Sequence, residues 1–212
     1  MSASELLSQV WRDLASRRHC EPSRAQELLH ELLGAYSEPN RHYHTTQHIA
    51  SLLRLLDDLG QAVVDRDAAI LAILFHDVIY DSRRSDNEER SAALARTRLA
   101  LLGLPDEVIA KVEHWIHATK HAQDFKTSDR DLSLLLDLDL STLAVAPAEY
   151  RAYADAIRRE YRHVPDELYR AGRRRVLEGF LARDRIYRTD ELRALWEEPA
   201  RANIAGEMAD LA

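Results

Sequence analysis

The stretch DAAILAILFHDVIY, Asp67–Tyr80, decides the fold. Its apolar run, Ala68 to Phe75, is unbroken and then meets a His-Asp pair, His76-Asp77. A helix that is apolar nearly all round belongs in the middle of a bundle, where other helices cover every face. The run is too short to cross a bilayer. Asp65 or Asp67 is placed to cap its start. Burying an ionisable pair in such a helix is costly unless the pair is hydrogen-bonded or bound to metal.

Outward from this stretch the pattern stays helical. Upstream, Thr46 to Leu59 carries Ile49, Leu52, Leu53 and Leu56 at helical spacing, with Gly60 as its C-cap. Before it, Ser2 and Glu5 form a capping box that opens a helix through about Arg17. Pro22 starts a second helix that Gly34 is placed to end, and residues 37–44, SEPNRHYH, read as a loop. Downstream, DSRRS at 81–85 breaks the pattern. Asp86 and Glu89 form a second capping box, for a helix to Leu102 with Gly103 behind it. Pro105 opens a helix through about Thr119, HAQDFKTSD at 121–129 is a loop, and DLSLLLDLDLSTL at 131–143 is helical. Pro147 and Pro165 open two more, and a last helix covers roughly Asp190 to Leu211. No segment alternates with a period of two, and no repeat, linker or low-complexity tract appears. The expectation is one all-α domain over residues 1–212, a bundle of roughly eight to ten helices.

Composition agrees. The 212 residues are 46% hydrophobic and 31% charged, a globular balance, and 6 Gly with 6 Pro argue against a turn-rich β chain. One cysteine, Cys20, excludes an internal disulfide and a Cys-based zinc site. The opening MSASELLSQVWRDL lacks a basic stretch leading into an apolar core, so no signal peptide is expected and the cytoplasm is the default compartment. A net charge of −7 argues against duplex nucleic acid as a partner, and nothing points to a membrane. Only Lys111, Lys120 and Lys126 are lysines, so arginine dominates the 29 basic residues. Arginine triplet 173–175 reads as a solvated face with one buried contact.

The chemistry-bearing residues cluster. Seven of ten histidines lie between His42 and His121. His48 falls in the first turn of the helix before the apolar run, with His44 just upstream, and LLLDLDL presents Asp137 and Asp139 among leucines. Imidazoles and carboxylates from three helices make a mixed nitrogen and oxygen donor set, which suits a divalent first-row metal with open positions for water and substrate.

In this order of motifs the chain resembles the HD superfamily of metal-dependent phosphohydrolases. RHYHTTQHI, FHDVIYD with DNEERSA, LDLDL and IRREYRHV, spanning about residues 36–165, are similar to a bacterial subgroup of predicted HD phosphohydrolases. The resemblance implies an HD-domain bundle holding one divalent metal ion (Mn, Fe, Co, Ni, Zn or Mg). Its ligands would be His48, His76, Asp77 and an aspartate of LDLDL. Asp137 and Asp139 stand about 200° apart on a helix and cannot both face one cleft. The related pattern favours Asp139, with Asp137 in reserve as a capping or outer group and His44 in reserve for His48.

Asp81, four residues after Asp77, would share its cleft on a helix and would orient or deprotonate the attacking water. Glu88 would reach the site from the next helix or complement its dipole. His114, His117 and His121 share one face if their helix persists. His117 and His121 are expected near substrate rather than on a second metal. Arg41 and Arg158, the latter with Arg159 and Arg162 nearby, are the candidate phosphate contacts. The implied activity is hydrolysis of a small phosphorylated metabolite, a nucleotide among the candidates. The alternatives are a mixed-valent di-iron oxygenase on the same scaffold and a non-catalytic nucleotide-binding regulator. A homo-oligomer is left open.

Overall fold

A computed structural model describes residues 1–59, 62–121 and 125–211. Among them are ten α-helices and no strand. In chain order these are α1 (Ala3–Arg17), α2 (Pro22–Ala35), α3 (Thr46–Leu59), α4 (Arg66–Phe75), α5 (Asn87–Leu101), α6 (Asp106–Ala118), α7 (Arg130–Asp139), α8 (Pro147–Glu160), α9 (Asp166–Leu181) and α10 (Asp190–Asp210). The expected C-cap at Gly60 lies outside the described residues. No described helix is long and apolar enough to cross a membrane. The chain groups into two compact units, Met1–Ala122 with α1–α6 and Gln123–Ala212 with α7–α10.

In the first unit local signals set the helix starts. Ser2 Oγ accepts from the Glu5 N–H while the Glu5 carboxylate accepts from the Ser2 N–H, the reciprocal capping box. Pro22 opens α2 behind Glu21, whose carboxylate accepts from the Ser23 and Arg24 N–H groups. The helix runs through Gly34 and stops one residue later, because nothing there needs a left-handed residue. Trp11 ties α1 to α2 through an Nε1–H bond to the Ala25 carbonyl, 2.8 Å. At Gly103 the backbone does turn left-handed, φ 78°, behind α5. The expected capping box at α5 does not form. The Asp86 carboxylate is drawn off by Arg84, at 2.6 Å to each oxygen, and makes no cap bond.

Helix α4 is the centre of this unit. Asp65 caps it, accepting from the Ala68 N–H, while Asp67 binds Arg17 and Arg18 instead. Every residue from Ala68 to Phe75 is buried, and α3, α5 and α6 pack around it. The helix ends at Phe75, not at Tyr80 as the apolar run suggested. His76 is its C-cap and Asp77 lies in the turn beyond. The reason is competition for backbone groups. Arg41 takes the carbonyls of Asp77 and Val78, at 2.6 and 2.7 Å. Ser91 Oγ accepts from the Ile79 N–H and donates to its carbonyl, and Asn87 takes the Asp81 N–H. With those groups spent on tertiary partners, no helical ladder can continue.

The second unit is organised by α10 against the segment after α7. Asp129 caps α7, which tightens into a 3₁₀ segment, Leu140–Ala144. The core here is Leu143, Tyr150, Leu177, Ile186, Tyr187, Ala200 and Ile204. Helix α8 starts at Pro147 and α9 follows Pro165, both as the prolines imply. Of the triplet, Arg173 is the buried member. It pairs with Glu207 at 2.7 Å, and Tyr150 donates to the same carboxylate at 2.6 Å.

Three tyrosines of this unit make its stability sensitive to alkali. Burial pushes Tyr150, Tyr169 and Tyr187 up from the ordinary phenol value, Tyr169 to about 12. Folded-state values above the unfolded value of about 10 give stability that is complete below pH ~10 and is lost as pH rises above it. Tyr169 alone accounts for something of the order of 2 kcal/mol between pH 10 and 12. The denaturation midpoint is therefore expected to fall steeply above pH ~10, with tyrosinate absorbance appearing together with loss of helix. Full tyrosinate absorbance near pH 10 from a helical protein would contradict this.

Candidate metal centre

The turn between α2 and α3 and the end of α4 bring the motif histidines together in the first unit. His48, in the first turn of α3, places Nε2 3.3 Å from His76 Nε2. The Asp77 Oδ2 atom lies 2.9 Å from His76 Nε2 and 3.8 Å from His48 Nε2. A triangle with those edges has a circumradius of about 2.0 Å, matching the 2.0–2.2 Å of zinc bonds to imidazole nitrogen and carboxylate oxygen. The side chains of His48 and His76 are 5% and 4% exposed and that of Asp77 is 17%, so the carboxylate is the open side.

The tautomer of His76 sharpens the chemistry. His76 Nδ1 is 3.0 Å from the Ile73 carbonyl, which can only accept. Nδ1 therefore carries the proton, and in the neutral ring Nε2 presents its lone pair. That lone pair then faces a carboxylate oxygen and a second imidazole nitrogen at short range. Two imidazole nitrogens and a carboxylate oxygen converging in a buried place suit a positive charge between them, a shared proton or a metal ion. A divalent cation meets the requirement of all three at once, and a backbone partner on the far ring nitrogen is the usual support of a metal-binding histidine. Among the described residues His48, His76 and Asp77 are the set whose donor atoms converge in this way.

Arg41 builds the frame. Its guanidinium donates to the Asp77, Val78 and His44 carbonyls and to Glu38, and it lies between the rings of Tyr36 and Tyr80. The side chain is 1% exposed. The expected phosphate contact is thus corrected to a brace, because its donors are spent on backbone. Tyr36 adds a hydroxyl bond to the Leu74 carbonyl, holding the last turn of α4. Tyr43 packs on His44 and His48, with centroids 5.0 and 4.8 Å apart, and Tyr80 stacks on His44 at 4.0 Å. His44 Nε2 is 3.9 Å from Asp77 Oδ2, on the rim of the cluster.

The other expected residues fall as follows. Asp81 is not one helical turn after Asp77, since that stretch is not helical. Its carboxylate accepts from the Arg83 N–H at 3.0 Å and is 43% exposed, while Asn87 grips its backbone from both sides. Glu88 is half-buried in the first turn of α5. His117 is exposed in the last turn of α6, and His121 lies beyond the helix end with φ 51°. The shared helical face expected for them is broken, because α6 stops at Ala118. Arg158 spends most of its donors on the fold and lines a cavity with Arg151 and Arg170. It ties the end of α8 to α9 through Asp166, through the Tyr161 and Val164 carbonyls, and over the Tyr169 ring. Arg162 lies past the end of α8.

In the second unit, Asp139 is the last residue of α7 and is partly exposed. Asp137 is fully buried and accepts from the Arg188 N–H, the Thr189 N–H and Thr189 Oγ, at 2.7, 2.8 and 2.6 Å. Burial pushes its carboxyl up, and the bonds from Thr189 and Arg188 pull it back. The reserve capping role is the one it fills.

Sequence reasoning missed the brace of Arg41, the rings of Tyr43 and Tyr80, and the grip of Asn87 and Ser91. The signal for the last pair was present: Asn87 and Ser91 stand four apart in DNEERSA, on one helix face. Comparison with protein-family models, with curated proteins and with solved structures returns no match.

Proposed function

We propose that His48, His76 and Asp77 hold one divalent metal ion and that the protein hydrolyses a small phosphorylated metabolite, with nucleotides among the candidates. The observation that carries the reading is the convergence of two imidazole nitrogens and a carboxylate oxygen, one of the rings being oriented by the Ile73 carbonyl. The mixed imidazole and carboxylate donors suit Mn, Fe, Co, Ni or Zn better than Mg. When bound, such an ion supplies a Lewis acid for a phosphoryl oxygen and lowers the pKa of a water. The phosphohydrolase class follows from the resemblance of the motifs to the HD superfamily.

The chain's own residues do the rest. Arg41 fixes the turn that carries Asp77, and Ile73 fixes the ring of His76. Asp81, with its backbone gripped by Asn87 and one carboxylate oxygen on the Arg83 N–H, keeps the other oxygen to orient water or accept its proton. Glu88, in the first turn of α5, is the further carboxylate proposed to assist it. Asp81→Asn preserves an acceptor for Arg83 and removes the base. The variant is expected to retain metal and to lose about 10²–10⁴-fold in turnover. Unchanged turnover would return Asp81 to a loop-shaping role. The reading as a whole is tested by metal analysis of the purified protein, followed by a phosphatase screen over nucleotides and sugar phosphates. Metal together with turnover is expected, and metal-free inert protein would refute it.

A further inference from the structure

The second unit contains a cavity of about 500 Å³ lined by α8, α9 and α10. That volume lies in the range of small-molecule sites, which form between the helices of bundles. Small residues open it. Ala154 of α8 lines it, as do Ala202 and Gly206, which stand four apart on one face of α10. A Cβ added at Gly206 would meet nothing within 4 Å, so this wall is unfilled.

The charges of the lining are matched. Three arginines and four carboxylates contribute to it. Glu207 accepts from Arg173 at 2.7 and 2.9 Å and from the Tyr150 hydroxyl at 2.6 Å, and Arg158 pairs with Asp166 at 3.1 Å. A ligand of either sign would meet lining groups of its own sign and would lose its hydration.

Two neutral polar groups of the lining are left over. Tyr169 is 9% exposed, and its hydroxyl makes no hydrogen bond with a described residue. Its ring is held by Arg158, 4.5 Å from the centroid, and by Tyr161 at 6.1 Å. Burial pushes the phenol up to about 12, so the hydroxyl keeps its proton at neutral pH. Asn203 gives Nδ2 to the Leu143 and Val145 carbonyls, at 3.0 and 2.8 Å. Both of its hydrogens are thereby spent and its amide is oriented, which leaves Oδ1 as an acceptor. A buried polar group with no protein partner is satisfied by water or by a ligand.

We propose that this cavity binds a small uncharged ring compound that carries an N–H donor for Asn203 Oδ1 and a carbonyl acceptor for the Tyr169 hydroxyl. The ring occupies the space that Ala154, Ala202 and Gly206 leave open. The inference involves residues of the second unit alone and does not rest on the metal reading.

Saturation-transfer NMR titration of the full chain with benzamide tests it, beside the isosteric anion benzoate and the isosteric cation benzamidine. The same titration is run on Gly206→Leu, which fills the cavity while raising helix propensity, and on Tyr169→Phe, which removes only the hydroxyl. The expected result is saturable benzamide binding, at least about tenfold tighter than that of either charged analogue. Binding is expected to be lost in Gly206→Leu, weakened roughly two- to tenfold in Tyr169→Phe and kept in His76→Ala. Absence of saturable benzamide binding would overturn the proposal, as would binding unchanged in Gly206→Leu or in Tyr169→Phe. Tighter binding of benzoate or benzamidine would overturn the neutral-ligand assignment. Loss of binding in His76→Ala would move the site to the metal centre and overturn it as well.

Discussion

His76→Ala is expected to give a folded, helical protein with no bound divalent metal and no phosphohydrolase turnover. The imidazole supplies the central donor atom, 3.3 Å from His48 Nε2 and 2.9 Å from Asp77 Oδ2. Removing it leaves a two-atom remnant, and the effect on metal affinity should exceed the 10–100-fold of losing an outer partner. The structural cost is small by comparison. The variant loses one bond to the Ile73 carbonyl, worth about 1 kcal/mol, and a side chain at the end of α4 rather than in its middle. Asp77→Ala should behave alike. Circular dichroism and metal content measured on the same sample check both parts. Full turnover in a metal-free His76→Ala protein would separate the activity from this cluster.

Arg41→Ala is expected to have the largest effect on stability. The change strips donors from the Asp77, Val78 and His44 carbonyls in a place where the side chain is 1% exposed. Leaving buried acceptors without their charged partner costs roughly 3–5 kcal/mol. The turn bearing Asp77 is then free to re-form helix or to shift, so metal affinity should fall by about 10–100-fold. Arg41→Lys keeps the charge but not the fork that spans several carbonyls at once. It is expected to fold, with a lowered melting temperature and weakened metal binding, which keeps the idea testable if the alanine variant does not fold. Wild-type melting and metal affinity in Arg41→Lys would show that the brace does not position the site.

Periodicity and caps made the helices legible. Ser2 and Glu5, Pro22, Asp65, Pro147 and Gly103 act where local chemistry puts them, because each satisfies backbone groups within a few residues. The errors share a cause. The stretch Asp67–Tyr80 reads as one helix, yet Arg41, 36 residues upstream of Asp77, and Ser91, 12 residues beyond Ile79, capture its backbone groups. Asp86 lost its capping role to Arg84, and α6 ended before His121. No local pattern announces such non-local competitors. For the same reason the convergence of His48, His76 and Asp77 could be anticipated, though not with Asp139, while the arginines' partners could not: an arginine's partner depends on the fold. Arg41 and Arg158 both proved to be braces.

The most direct measurement is an anomalous-difference map from crystals of the protein loaded with manganese or zinc. The expected result is one peak per chain, bonded to His48 Nε2, His76 Nε2 and an Asp77 carboxylate oxygen. A metal-replete crystal in which these three groups bind only one another, with the anomalous signal elsewhere, would contradict the account.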